Sequence, residues 1–445
     1  MFELMLEILL WLEDAIWIYF CFPFIVLMGI YFSWKSGFVQ VRSFTTALNN
    51  FLTLLRQKHV ADGKVHPLQA FFACVGGCIG IGNIVAVCTA VTIGGPGALL
   101  WLWLTATLGA IIKYSEVYLG IKYRVVDAHG HFRGGPMYYL QRVFNGSWAP
   151  ITVSLLLCMY GVEVYQFSIM ASSISLNFDL PKIPVVGVLL VLVLYAAWGG
   201  IRRVGMISSA TVPIFVVVYC SMGAYVIFQN AAVIPEVLLT VFTTAFTGHA
   251  AVGGFIGSTI LIAVTQGIRR ACYTGDIGIG YASVIHSESS VIQPEKQASL
   301  VIVDIFLDTF IICTTTILLI LVTGVWNQNI PQELMVQTAL GTVFSHVEWF
   351  MPFFLFLLGF STINAYFAVG LNCAQYLGGK PAKIAYFIYA TVALGLFSFV
   401  DPTVAQTIMT SVGGLLLIMN CYGIYVLRNE IGFDIERASK ANPES

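Results

Sequence analysis

Long apolar runs separated by short polar segments dominate the chain. A membrane-spanning helix needs about 20 consecutive apolar residues, and such runs lie near 16–34, 68–93, 96–121, 149–175, 183–199, 205–228, 240–267, 298–323, 347–373, 384–400 and 403–427. Segment 36–62 has apolar positions at helical spacing and a basic tip, which is typical of a helix lying on the membrane surface. The pattern predicts an all-α integral membrane protein of about eleven transmembrane helices.

The composition supports a membrane protein and argues against a soluble domain or a nucleic-acid-binding protein. Of the 445 residues, 58% are hydrophobic and 10% are charged, whereas a soluble domain is about 25% charged. A net charge of −1 gives no basic surface for nucleic acid. Cys74 and Cys78 have CxxxC spacing, but no second Cys or His pair follows at metal-site distance, so they are interpreted as small buried residues.

The distribution of basic residues predicts the orientation in the membrane. If the second span starts in the cytoplasm, every Lys and Arg except Lys113 and Lys182 falls in a cytoplasmic segment. Cytoplasmic loops are enriched in these residues. The N-terminus is therefore expected outside and the C-terminus in the cytoplasm of a bacterial-type plasma membrane.

An internal repeat divides the chain. Segment 73–80 reads ACVGGCIG and segment 250–257 reads AAVGGFIG, with six of eight positions identical. They lie in the second and seventh predicted spans, and this odd offset predicts opposite directions across the bilayer, as in an inverted 5+5 repeat. The predicted units are an N-terminal helix with a surface helix (1–67), two repeats (68–228 and 240–427) and a cytoplasmic tail (428–445).

Each repeat segment is also a candidate helix break. Glycine-interrupted helices at matching positions of two halves indicate a carrier's binding site. Freed N–H groups suit a carboxylate, and freed carbonyl groups suit a cation. Close helix packing is the alternative, because Gly76–Gly80 and Gly253–Gly257 also have GxxxG spacing.

Several motifs resemble those of the alanine/glycine:cation symporters, a family of LeuT-fold carriers in the APC superfamily. The similar segments are 80–84 (GIGNI, against the family's GTGNI), 94–98 (GGPGA), 113–116 (KY and E), 134–139 (GGPMYY), 308–309 (DT) and 360–363 (FSTI). The chain departs from the family at Ile81 (Thr in the family), at Tyr366 (Trp) and at 274–278, which reads TGDIG where the family has SNEAG. The chain therefore resembles a divergent member of this family.

The resemblance implies a sodium site and a substrate site. The sodium ligands would be the Ser361 and Thr362 hydroxyl groups and the carbonyl groups of Gly76, Ile79 and Leu358. Substrate-binding residues would be Ile81, Gly82, Asn83, Gln166, Thr247, Gly248, Gly253, Gly254 and Tyr366. Asn83 is expected to brace the break more than to contact substrate, and a structural role for the two hydroxyl groups or for Gln166 stays open.

The other intramembrane polar residues have structural interpretations. Lys113 and Glu116 are at i,i+3 spacing and are expected to pair, and Asp304 and Asp308 share one helical face. Glu163 and Gln166 are expected one turn apart on one helix. Loop 268–297 is expected to be solvated; the resemblance instead implies a cytoplasmic helix that closes the inner pathway, with Asp276 pairing to a basic residue. His249 is a wall residue or a proton site.

These observations predict a symporter that takes up a small neutral amino acid of the alanine/glycine class with co-transported sodium by alternating access. Five oxygen ligands suit sodium, whereas a proton needs no such cage. A proton-coupled carrier of the same fold, using Glu163 or His249, is the alternative. A membrane-embedded enzyme is a remote alternative, because the chain has no HExxH or GxxxxGK[ST] motif.

Overall fold

Helices account for nearly all regular structure in the computed structural model, which describes residues 2–56, 65–128, 130–247 and 260–440. The first half contains α1 (Phe2–Ile16), α2 (Phe22–Ser36), α3 (Val39–Arg42), α4 (Phe44–Arg56), α5 (Pro67–Cys78), α6 (Val87–Gly94), α7 (Ala98–Lys122), α8 (Pro136–Val143), α9 (Trp148–Tyr160), α10 (Val164–Phe178), α11 (Lys182–Ala197) and α12 (Gly200–Gln229). The second half contains α13 (Ile234–Thr247), α14 (Ile260–Gly275), α15 (Tyr281–Ser287), α16 (Pro294–Ala298), α17 (Leu300–Ile305), α18 (Thr314–Val322), α19 (Gln332–Gly341), α20 (Val347–Phe397), α21 (Pro402–Val426) and α22 (Ile435–Lys440). One short antiparallel hairpin, β1 (Val125–Val126) with β2 (Phe132–Arg133), follows α7.

The described residues contain seven helices long and apolar enough to cross a membrane, or eight if one bent pair is a single span. The predicted all-α membrane class is therefore confirmed. Three features separate this count from eleven. The predicted span 240–267 lies partly outside the described residues, where α13 contributes 14 residues. Helix α11 has only 16 residues, and α20 runs through 51 residues across two predicted spans, with a kink at Gly378 and Gly379. The eleven-span count and the inverted repeat stay predictions.

A helix, α4, lies within the predicted surface segment 36–62, and its location on the membrane surface stays a prediction. Ala47, Asn50 and Leu54 are buried on one face, while Leu52 and Leu55 are exposed. The burial is one-sided, but it follows the apolar positions of the sequence only at Leu54, because Val41 and Leu55 are exposed.

The first predicted helix break is confirmed. Helix α5 ends at Cys78, the backbone is extended at Ile79, and a π-helical turn at Gly82–Ala86 leads into α6. The two halves are bent by 41°. A Cβ atom on Gly80 would lie 2.4 Å from Thr362 Oγ1, so glycine is required there for close approach to α20.

A second interruption separates α14 from α15. Asp276, Gly278 and Gly280 all have positive φ angles, so the backbone cannot continue as a right-handed helix. The expected solvated loop at 268–297 is therefore wrong, because α14 extends to Gly275 and Asp276 is fully buried. The predicted break at 248–257 lies outside the described residues.

The environment of α14 also corrects the predicted charge distribution. Arg269 forms ion pairs with Glu13, at 3.1 Å, and Asp14, at 2.6 Å. The predicted orientation places Arg269 and these carboxylates on opposite sides of the membrane, about 30 Å apart. The expected position of Arg269 and Arg270 in a cytoplasmic loop is therefore wrong. The orientation of the termini stays a prediction.

A third interruption, which the sequence did not predict, lies between α9 and α10. Gly161, Val162 and Glu163 separate the helices, and Glu163 has a left-handed backbone with φ 49° and ψ 50°. The expectation that Glu163 and Gln166 lie on one continuous helix is therefore wrong. Glu163 precedes α10, whereas Gln166 lies in its first turn.

Candidate functional site

The three interruptions meet in the interior of the bundle. Ile81, in the first, donates its backbone N–H to Gln166 Oε1 at 3.0 Å. Cys78 Sγ, at the edge of the first, is 3.4 Å from Asp276 Oδ2 in the second. Tyr160 OH, beside the third, donates to Asp276 Oδ1 at 3.4 Å. The freed peptide groups of three helices therefore surround one buried region.

Oxygen atoms cluster where α5 crosses α20. Thr362 Oγ1 donates to the Gly76 carbonyl at 3.0 Å, and Ser361 Oγ lies 2.6 Å from the position that a Cβ on Gly76 would occupy. Ile79 and Leu358 line one small cavity together. The structure thus brings Gly76, Ser361 and Thr362 into contact, with Ile79 and Leu358 close to each other. Hard hydroxyl and carbonyl oxygens suit a hard cation such as sodium.

Ser208 of α12 joins this cluster and was missed by the sequence analysis. Its hydroxyl group lies 2.7 Å from Ser361 Oγ, and Ser208 is fully buried. The available signal was a small polar residue in an apolar helix. Ser209 next to it gives the same signal but is bonded to the Met206 carbonyl of its own helix, so the sequence alone could not choose between them.

The amide end of the first break is held by two side chains. Asn83 Oδ1 accepts the Gly80 N–H at 2.9 Å, and Asn83 Nδ2 donates to Asp308 Oδ1 at 2.6 Å. This is the bracing contact expected for Asn83. Gln166 Oε1 accepts the Ile81 N–H, so a carboxylate that reached this amide would have to displace Gln166.

An aromatic wall closes the region opposite the break. Tyr366 OH donates to Asp276 Oδ2 at 2.5 Å, and the Tyr366 ring stacks on Tyr281 with centroids 4.3 Å apart. Tyr281 OH in turn donates to the Ala73 carbonyl of α5. Among the described residues the hydrogen-bond donors to Asp276 are Tyr366, Tyr160 and Cys78. The expected basic partner for Asp276 is therefore wrong.

A buried ion pair lies beside the break. Lys113 Nζ is 2.5 Å from Asp304 Oδ2 and 3.2 Å from Cys78 Sγ, and both charged side chains are fully buried. Glu116 instead accepts the Ser283 N–H at 3.1 Å. The predicted pairing of Lys113 with Glu116 is therefore wrong, because these residues contact different neighbouring helices.

Several predicted site residues do not join this group. Thr247 is exposed at the end of α13, where its hydroxyl donates to the Thr243 carbonyl. Gly248, Gly253, Gly254 and His249 lie outside the described residues. No contact of these positions with the first break is therefore described.

A cavity lies at each end of the first broken helix. The larger, of about 870 Å³, is lined by Thr92 near the end of α6 and by Tyr165, next to Gln166. The other, of about 330 Å³, is lined by Val65 before α5 and by Glu288 and Asn372. Interrupted helices with freed polar groups at the centre of an apolar bundle, between two cavities, define a membrane transporter.

Comparison with known proteins specifies the family. Residues 2–440 match the model of the sodium:alanine symporter family. An uncharacterized transporter of Haemophilus influenzae is 30% identical over 92% of this chain and 91% of its own length. The sodium/alanine symporter AgcS of Methanococcus maripaludis is 27% identical over 90% of this chain and 89% of its own. The probable sodium/glutamine symporter GlnT of Bacillus subtilis is 27% identical over 93% of this chain and 87% of its own.

The fold also resembles that of a solved structure with low sequence identity to this chain. The crystal structure of a manganese transporter from Eremococcus coleocola superposes with a TM-score of 0.52 at 12% identity, over 79% of this chain and 75% of that one. At this identity the likeness concerns the fold alone.

The chain belongs to the sodium:alanine symporter family. It is a multi-pass membrane transporter and not an enzyme, and the resemblance found in the sequence is confirmed.

Proposed function

We propose that this protein takes up a small neutral amino acid of the alanine/glycine class across the plasma membrane, coupled to sodium by alternating access. The observation that carries the proposal is the cluster of Gly76, Ser361 and Thr362 oxygens beside a broken helix. Family membership supports it, because relatives are named as sodium/alanine and probable sodium/glutamine symporters.

Sodium would bind between α5 and α20. Thr362 Oγ1 is already 3.0 Å from the Gly76 carbonyl, and a cation between these two oxygens would replace their hydrogen bond. Hydroxyl and carbonyl ligands without a carboxylate neutralise none of the ion's charge, which suits a monovalent ion that must leave again. Sodium is cargo in this proposal.

The substrate carboxylate would bind at the start of the second half-helix. The N–H groups of Ile81, Gly82 and Asn83 lie at its positive end, and Gln166 is positioned to exchange its contact with Ile81 for one with substrate. Because the sodium and carboxylate sites share one broken helix, each ligand would raise the affinity of the other by the same factor.

Transport would alternate access between the cavity lined by Thr92 and the cavity lined by Val65. A membrane potential of about 100 mV contributes about 2.3 kcal/mol per charge moved inward. That free energy corresponds to roughly a fifty-fold concentration gradient. No nucleotide is required for uptake on this scale.

The test is uptake of labelled alanine, glycine and serine into proteoliposomes with an inward sodium gradient. Replacing sodium by choline at constant pH should abolish accumulation. Uptake that persists in choline and follows an imposed pH gradient would establish the proton-coupled alternative instead.

A variant locates the ion site. Thr362→Ala should raise the sodium concentration for half-maximal uptake about tenfold, because one charge-assisted contact is worth about 1.5 kcal/mol or more. Thr391→Ala is the matched control, since Thr391 lies on the same helix and its hydroxyl bonds only the Phe387 carbonyl of that helix. Equal sodium dependence in both variants would contradict the assignment.

A further inference from the structure

Glu163 occupies a backbone conformation that costs free energy. Its φ angle of 49° lies in the left-handed region, which disfavours side chains with a Cβ by about 1–2 kcal/mol. Glycine would adopt this conformation without strain. Strain retained at a helix interruption is a recurring feature of ligand sites.

The Glu163 carboxylate contacts a neighbouring helix. Although Glu163 immediately precedes α10, its side chain caps none of that helix's N–H groups. It accepts instead from Tyr273 OH of α14, at 3.1 Å to Oε2 and 3.4 Å to Oε1. A carboxylate has room for about four hydrogen bonds; among the described residues Tyr273 OH is its measured donor, and the Gln166 amide and backbone N–H lie near enough to interact with it.

Charge is not balanced around this carboxylate. Asp304 is neutralised by Lys113, and Glu13 by Arg269. In the described part of the chain, by contrast, no Lys, Arg or His forms an ion pair with Glu163, which is fully buried. Asp276 lies near enough to interact electrostatically with Glu163, and Lys113 lies near enough to offset part of the Asp276 charge. Buried charges are normally paired, so a positively charged group would stabilise the ionised form of Glu163.

The same carboxylate borders the first helix break. The Tyr273 ring that contacts it lies 3.2 Å from the position of a Cβ on Gly82. Gln166, three residues after Glu163, reaches the Ile81 N–H. A positive helix end and an uncompensated carboxylate therefore lie on either side of Gly82, which is complementary to the opposite charges of one zwitterion.

We propose that Glu163 binds the ammonium group of the substrate while the Ile81–Asn83 amides bind its carboxylate. This inference rests on the proposed function and assigns Glu163 as the anchor for the substrate amine. Tyr273 holds the carboxylate in position. The larger cavity, which is lined by Tyr165, would provide the route to it.

The test uses the purified full-length protein and follows its apparent melting temperature with alanine and with sodium alone. Glu163→Gln should lower alanine affinity at least 30-fold, equivalent to about 2 kcal/mol for loss of a buried charge contact. The sodium concentration that gives half-maximal stabilisation in the absence of alanine should stay within about twofold of the wild-type value. Glu116→Gln is the matched control, because Glu116 is equally buried but bonds the Ser283 N–H away from the break, and it should leave both affinities unchanged.

Tyr273→Phe provides a second variant if Glu163→Gln does not fold. It should weaken alanine binding several-fold, since the carboxylate loses the donor that positions it. Unchanged alanine affinity in the folded variants overturns the proposal. A lost sodium response with intact alanine binding also overturns the proposal, because the carboxylate then belongs to a second sodium site. A loss of pH dependence alone overturns it as well, because Glu163 is then a proton site.

Ethylammonium at matched ionic strength separates this inference from the proposed function. Stabilisation of the wild-type protein by ethylammonium, absent in Glu163→Gln, supports the amine subsite even if alanine is not transported. If alanine uptake is sodium-dependent but Glu163→Gln binds alanine and ethylammonium as the wild type does, only the assignment of Glu163 fails.

Discussion

Breaking the Lys113–Asp304 ion pair should be among the most destabilising single changes in the protein. Among the described residues, Lys113→Met would leave buried Asp304 with the Cys74 and Cys78 thiol groups as its hydrogen-bond donors. At the observed 2.5 Å separation, the attraction is about 7 kcal/mol at an effective dielectric constant of about 20. Removal from water offsets much of this attraction. The net cost of removing one partner of a buried pair is about 3–5 kcal/mol.

A double-mutant cycle tests the pairing directly. Asp304→Asn removes the charge with little change in volume, so Lys113→Met with Asp304→Asn should be more stable than Lys113→Met alone. The readout is the apparent melting temperature in detergent, measured by fluorescence-detected size-exclusion chromatography. The control cycle combines Lys113→Met with Glu116→Gln, which should give no recovery. Recovery in the Glu116 cycle and not in the Asp304 cycle would refute the pairing.

Two further substitutions test the packing around α5. Ser208→Ala should raise the half-saturating sodium concentration of uptake several-fold, because Ser208 lies 2.7 Å from Ser361. Ser209→Ala, which alters an exposed hydroxyl, should leave that concentration unchanged. Equal effects of the two substitutions would exclude Ser208 from the ion site. Gly77→Ala should lower the apparent melting temperature by several degrees, because its Cβ would lie 1.7 Å from Tyr281 OH. Tyr281→Phe should partly restore it, and no restoration would show that the clash lies elsewhere.

The first break could be predicted because its requirements are local. Closely spaced glycines at Gly76, Gly77, Gly80 and Gly82 remove side chains along one segment, and that is sufficient to indicate either unwinding or close packing. The structure shows both. Helix α5 remains regular through Gly76 and Gly77 where it packs on other helices, and it unwinds only after Cys78.

The partners of buried charges could not be predicted in the same way. Lys113 and Asp304 are 191 residues apart in sequence, and spacing along one helix gives no information on such a pair. Glu116, three residues from Lys113, was the only candidate that local spacing could offer. The same reasoning missed Glu13 as the partner of Arg269.

The interruption at 276–280 was not predicted, for a related reason. Arg269, Arg270 and Asp276 reduce the hydropathy of α14, so an apolar window ends near residue 267 and the rest is interpreted as a loop. In the structure Arg269 pairs with Glu13 and Asp276 accepts from Tyr366, both on other helices. The glycines at Gly278 and Gly280 were a signal of equal strength to those near Gly76, but the expected solvated loop obscured it.

Hydropathy therefore fails in this chain where the polar chemistry of the site is concentrated. A helix interruption frees peptide groups in the interior and can itself help to satisfy a buried polar side chain, as the Ser283 N–H does for Glu116. The Ile81 N–H does the same for Gln166, so polar side chains beside an interruption avoid part of the cost they would have in a continuous apolar helix. The segments that fit a spanning pattern worst are thus the ones to examine first for ligand contacts, and in this protein all three interruptions meet in one place.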